Sequence, residues 1–269
     1  MASGSLIEGA VSILRCADPA GKIALSHAVA AAWQSGTLPV GERIEPPDRP
    51  ARPDRPLLLM PRDMPRRRKG GTEASRVALL HAVAHIELNA IDLAWDLIAR
   101  FEPPEAGFYD DWVRVADEEA THHGLLVERL AEYGAVYGDL PAHDGLWEAA
   151  ERTAHDLLAR LAVVPMVLEA RGLDVTLPMI ESLCRAGDQA SADVLRIVYR
   201  DEIGHVEIGR RWFEQVCRQR GLIPLTEWHD LVRRHYRALL KRPFNDAARL
   251  AAGFDATFYE PLAEEVRTS

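Results

Sequence analysis

Residues 115–124 read VADEEATHHG, and residues 199–209 read YRDEIGHVEIG. Each stretch holds an acid pair, Glu118-Glu119 or Asp201-Glu202, with a histidine three positions after the second acid, His122 or His205. Each lies in a run of helical apolar period. Trp112, Val115, Ala116, Leu126 and Leu130 share a face with Glu119 and His122; Leu195, Val198, Tyr199, Val206, Trp212 and Val216 share one with Glu202 and His205. The i, i+3 spacing sets Glu and His over one patch of helix surface. A carboxylate on a core-facing stripe is costly unless something of opposite charge meets it. The repeated pattern therefore asks for buried cations.

Two further acids fit the same scheme. Glu87, in LLHAVAHIELNAIDLAWDLI, lies on the face of Leu80, Val83, Ala84, Ile91, Ala94 and Ile98. Glu169 lies among Leu158, Leu161, Ala162, Met166 and Leu173. One Glu from each of two helices plus Glu-x-x-His from each of two others is the ligand set of a dinuclear carboxylate site in a helical bundle. The spacing is nearly duplicated, 32 positions from Glu87 to Glu119 and 33 from Glu169 to Glu202. Four carboxylates packed together repel and hold protons, whereas two divalent cations neutralise them. Oxygen-rich ligation with one imidazole per ion suits Fe, with Mn as the other fit, better than Zn.

Other residues near this set are read in turn. Glu118 and Asp201 stand where an acid can accept the free N–H of a ligating imidazole and fix its tautomer. His123 is one step from His122 and is either a substitute ligand or a residue packed behind the ligands. His81 and His85 point about 120–160° away from Glu87 on an ideal helix and read as structural. Tyr199, one turn before Glu202, is a tyrosine near the metals or an ordinary core tyrosine. Arg171 and Asp174 are expected to form a helix-end ion pair that braces Glu169.

Strand-like alternation is absent, and Ala, Leu, Glu and Arg dominate from residue 72 to 220. Long helices are expected at 72–101, 106–135, 144–172 and 189–220, with a short one at 175–186. Breakers at Pro103-Pro104, from Gly134 to Pro141 and from Gly172 mark the connections. Pro165 falls inside the third helix. A proline there removes one backbone hydrogen bond and clashes one turn back, at about 3 kcal/mol, so a kinked but continuing helix is expected. The expected fold class is all-α: a ferritin-like four-helix bundle over 72–220. An N-terminal helical segment, 1–36, and a Pro/Arg-rich arm, 37–71, precede it. A C-terminal extension, 221–269, packs on it and includes a helix in TEWHDLVRRHYRALLKR.

The chain has 269 residues, of which 48% are hydrophobic, enough for a sizeable core. A net charge of −9 disfavours a nonspecific nucleic-acid binder, although PRRRKGG at 65–71 offers one local patch for phosphate. Cys16, Cys184 and Cys217 have no ligand spacing, and their odd, sparse count fits a reducing compartment. MASGSLIEGAVSILR has no basic n-region, so no signal peptide is expected. No window of about eighteen uncharged apolar residues suggests a membrane span. The expectation is a cytoplasmic protein, with a homodimer compatible.

HAVAHIELNAIDLAWD, DEEATHH, PMVLEARGLD, RDEIGHVEIGRRWF and RPFNDAARLAAGF, in this order and spacing, resemble a bacterial family of ferritin-like proteins catalogued as a domain of unknown function. More widely the chain is similar to diiron carboxylate enzymes, among them the tRNA-modifying monooxygenases, the rubrerythrins and the small subunit of ribonucleotide reductase. The resemblance implies iron ligands at Glu87, Glu119, His122, Glu169, Glu202 and His205. One departure is His123, which stands where the pattern has an aromatic residue and leaves the choice between His122 and His123 open.

The expected activity is a non-haem diiron oxidoreductase that uses O₂ or peroxide to hydroxylate or oxidise a substrate, with an external electron donor. No catalytic residue beyond the metal ligands can be named. A second reading is a metal-binding protein for iron handling or peroxide removal. A third, weaker one is an RNA-modifying hydroxylase, which the acidic balance opposes.

Overall fold

The computed structural model describes residues 4–65, 71–102, 105–236 and 238–263. Most of the basic run at 65–71, and the Pro103-Pro104 breaker, lie outside the described residues. The fold is all-helical. Among the described residues there is no strand, only the isolated bridges Leu58–Ala142 and Leu240–Ala263. The chain forms two compact units: Met1–Glu148 with Ile180–Val194, and Ala149–Met179 with Leu195–Ser269.

The first unit contains α1 (Leu6–Leu14), α2 (Pro19–Gln34), α3 (Glu73–Arg100) and α4 (Gly107–Glu132). Their starts are written locally. Ser5 accepts from the Glu8 N–H, Asp18 from Gly21 ahead of Pro19 at the first turn, and Thr72 from Ser75. Every apolar residue expected to share the Glu87 face is buried. Among its described residues the Pro-rich arm is irregular apart from one 3₁₀ turn, Pro61–Asp63, and arginines fasten it. The Arg43 guanidinium donates to the carbonyls of Ile98 (3.3 Å), Ala99 (2.8 Å) and Phe101. It thereby satisfies the open acceptors at the α3 C-terminus with a positive charge. Arg100 donates to Pro47 O at 3.0 Å, and the Trp147 indole to Asp48 O at 3.2 Å.

By length and composition α3 could cross a bilayer, but 72% of its most apolar window is buried inside the protein. It also carries Glu87, Asp92 and Asp96 in the interior. These are the features of a core helix.

The second unit contains α6 (Leu157–Val163), a π-helical turn (Val164–Glu169), the start of α7 (Ala170–Arg185) and most of α8 (Gln189–Arg220). It continues with α9 (Pro224–His235), α10 (Asp246–Ala251) and α11 (Ala256–Tyr259). Trp228 of α9 is fully buried; its indole donates to Ala162 O at 3.1 Å, and its ring packs edge-on against Phe254 and Phe258. α7 and α8 each have one end in either unit.

Three boundaries differ from the sequence reading. The helix expected over 144–172 breaks between α5 (Gly145–Arg152) and α6. Thr153 Oγ1 turns back to Ala149 O at 2.9 Å, and buried Arg160 donates to Ala150 O (2.8 Å) and Thr153 Oγ1 (3.0 Å). The last carbonyls of α5 thus find side-chain partners instead of a further helical turn. Conversely, Gly172 does not end a helix: α7 runs through it and through Pro178 to Arg185. The tail helix stops at His235, and Leu240 pairs instead with Leu262, N to O at 2.9 Å.

Candidate metal centre

In the first unit α3 and α4 bring Glu87, Glu119 and His122 together. All three are buried, and one donor atom of each lies within 4.8 Å of the others. His122 Nδ1 is 3.2 Å from Glu87 Oε2 and 3.4 Å from Glu119 Oε2. Side-chain donors about 2.0–2.2 Å from a shared cation would stand at such mutual separations, so this set fits a metal ion. Without one, the electrostatics are adverse. Burial, reinforced by the charge of Glu119, pushes the Glu87 carboxyl up to about 8. Of the adjacent histidines, His122 faces the carboxylates. His123 Nδ1 donates to Ala84 O at 2.7 Å, and its buried Nε2 has no hydrogen-bond partner among the described residues.

In the second unit α8 carries Glu202 and His205, with His205 Nδ1 3.8 Å from Glu202 Oε2. The same ring nitrogen faces the same carboxylate oxygen as in the His122–Glu119 pair. Glu169 closes the π-turn, and its Oε2 is buried. The helix expected to bend at Pro165 does continue, and it accommodates the proline as the second residue of that turn. Proline has no N–H for the bond back to Leu161. A π-turn, with bonds spanning five residues instead of four, absorbs that gap.

The description "Protein of unknown function (DUF455)" belongs to a family whose model matches residues 15–260. The chain belongs to this family. It is also 45% identical, over 209 residues, to an uncharacterized protein of Haemophilus influenzae, covering 75% of this chain and 72% of that one. No solved structure matches.

This DUF455 chain also has, on α3 and the segments packed on it, a set of buried polar groups that periodicity did not reveal. Asp92, fully buried, meets the ammonium of Lys22 from α2 and Arg52 Nη1 from the arm at 2.9 Å. Arg52 Nη2 donates to Asn89 Oδ1 at 2.6 Å, and Asn89 donates to His85 O at 2.7 Å. His85 is held between the Tyr137 hydroxyl (2.8 Å) and His143 O (3.1 Å); burial, helped by the Arg52 charge, pushes its pKa down to about 3. His81 Nε2 accepts from the Gly138 N–H at 2.9 Å, and its ring stacks on Tyr137. The one advance signal was Asp92 and Asp96, acids four apart in the apolar run NAIDLAWD.

The remaining candidates occupy varied places. Arg171 Nη1 lies 3.3 Å from Asp174 Oδ2 in the first turn of α7, where the helix continues past the π-turn instead of ending, and it also donates to Lys241 O (2.8 Å) and Pro243 O (3.2 Å) of the tail. Asp174 is held chiefly by buried Arg249, whose Nε and Nη2 reach its two oxygens at 2.8 and 2.7 Å. The Tyr199 hydroxyl accepts from Asn245 Nδ2 at 2.9 Å. Asp201 accepts from its neighbour Arg200 at 2.8 Å, and Glu118 is half-buried on α4.

Proposed function

We propose that Glu87, Glu119 and His122 of the first unit, with Glu169, Glu202 and His205 of the second, hold two metal ions in a ferritin-like bundle. On this reading the protein is a non-haem diiron carboxylate oxidoreductase acting with an electron donor on a small-molecule substrate. The supporting observation is the buried trio Glu87, Glu119 and His122, three donors within 4.8 Å and enclosed by apolar residues. A pair of ferrous ions bound there would supply the reduction of O₂ or peroxide and the oxidising equivalents for substrate. The chain's own contribution is positional. Glu87 gives up its proton when a cation replaces it. His122 and His205 present Nδ1 to the carboxylates of their own helices. Trp112, Leu126 and Leu130, all buried, keep water from the α4 face of the trio.

Elemental analysis of purified wild type, Glu119→Ala and Glu202→Ala tests the assignment. Two ions per wild-type chain and the loss of at least one in each variant are expected; full occupancy in both variants would sink it. Iron titration followed by size-exclusion chromatography separates enzyme from store. Uptake that stops at about two irons in a small species supports the oxidoreductase, and many irons in a large shell support iron handling.

A further inference from the structure

We propose that Gly209 is a positioning residue for the metal ligands of the second unit: its missing side chain lets Pro165 seat against the α8 backbone, and this contact sets Glu169 opposite His205. The inference rests on the metal reading above. A Cβ at Gly209 would stand 2.2 Å from Pro165 Cβ, 2.4 Å from Cγ and 3.6 Å from Cα. The first two are closer than carbon atoms can approach, and the obstacle is a rigid ring rather than the tip of a flexible side chain. Gly209 has an ordinary helical backbone, so the requirement is for space and not for conformation.

The contact lies one turn from a ligand on each side. Glu169 is four residues after Pro165, and His205 is four before Gly209. Farther along, Asn245 Nδ2 bridges Leu173 O at 3.1 Å and the Tyr199 hydroxyl at 2.9 Å. Numbers rise on one helix as they fall on the other, so the two segments run antiparallel in a register that matches Glu169 to His205. Because Pro165 and Glu169 share one π-turn, pushing the proline away from α8 moves the carboxylate with it. Gly204, on the same helix, has nothing within 4 Å of an added Cβ and serves as the control.

The experiment titrates metal-free wild type, Gly204→Ala, Gly209→Ala and the double variant Pro165→Gly/Gly209→Ala with Co(II), without oxygen. It records stoichiometry, affinity and the visible ligand-field spectrum beside a circular-dichroism melt. Wild type and Gly204→Ala are expected to bind two Co(II) with the same spectrum. Gly209→Ala should stay helical but bind one of the two at least tenfold more weakly, with a changed spectrum. Removing the Pro165 ring in the double variant should restore most of the affinity. Wild-type affinity and spectrum in Gly209→Ala would overturn the proposal, as would a loss that the double variant does not rescue. Should Gly209→Ala fail to fold, the double variant decides in the same way: wild-type affinity supports the contact and weak affinity overturns it. A wild-type chain that binds no Co(II) would overturn the metal reading itself and this inference with it.

Discussion

The first unit presents Glu87 from the middle of a regular 28-residue α-helix, whereas the second presents Glu169 from the last residue of a π-turn. Each unit also has a helix bearing Glu-x-x-His, and in both the histidine turns Nδ1 to its own glutamate. The supports differ. α3 of the first unit also joins a buried charge cluster of Lys22, Arg52 and Asp92, contributed by α2, the arm and α3. The second unit instead has a proline packed close to Gly209 and the Asp174–Arg249 pair, whose guanidinium is ringed by Phe244, Phe254 and Tyr259. A glutamate on a buried helical face can thus be carried by a regular α-helix or by a helix widened at a π-turn.

The largest effect is expected from breaking the buried charge cluster of the first unit. Asp92→Ala leaves Lys22 and Arg52 facing each other without their carboxylate. Removing one partner of a buried ion pair costs about 3–5 kcal/mol, and urea denaturation should register a loss of that order. Asp174→Ala is the counterpart in the second unit. It strips Arg249 of a two-point partner and should fall in the same range, about 3–5 kcal/mol. A small loss for one and a large loss for the other would show that only one half depends on its charges.

An intermediate effect is expected from pH, and it belongs to the first unit. The folded pKa of His85 is depressed to about 3 against 6.5. Its contribution to stability is therefore fully present above about 6.5 and is lost as pH falls from there towards 3. Between pH 7 and 5 this amounts to about 2 kcal/mol. In the metal-free protein Glu87, raised to about 8, works the other way and favours the folded state as pH falls through the same range. The comparison of wild type with His85→Gln isolates the histidine: the variant should lose less stability than wild type between pH 7 and 5 in denaturant titrations. Equal losses would refute the neutral His85. Asp188 adds a second, more acidic window. Burial opposes its charge, but hydrogen bonds from Ser191, Tyr133 and Arg129 prevail and hold it at about 2. Its contribution is present above 3.8 and disappears as pH falls towards 2.

The smallest effect is expected from Pro165→Ala. The substitution restores an N–H and removes a ring, but the π-turn already accommodates the proline. A rise in stability of no more than about 1 kcal/mol, or roughly 2–4 °C in Tm for a chain of this size, is the expected outcome of a melting curve. A loss above that size would show that the ring itself holds the second unit together.

Much of the donor pattern was legible in the sequence because a helix repeats every 3.6 residues. Glu87, Glu119 and His122 could be placed on apolar faces by counting alone, and those faces are buried. The helix ends at Ser5, Asp18 and Thr72 follow from capping residues acting within one turn. Gly172 misled because a glycine lowers helix propensity without forbidding the helix, and α7 is held there by packing and by the tail.

By itself, then, the sequence determined the helical class, the core faces and the two-fold repeat of acid and imidazole, all of which are properties of neighbours within a turn or two. Only the tertiary structure decided which charges meet. Lys22 and Asp92 are 70 positions apart, and Arg52 and Asn89 are 37 apart. It also decided that His122 and not His123 turns to the carboxylates, and that Pro165 lies in a π-turn packed close to Gly209. Each outcome depends on which backbone comes close to which, and no local periodicity encodes that distance.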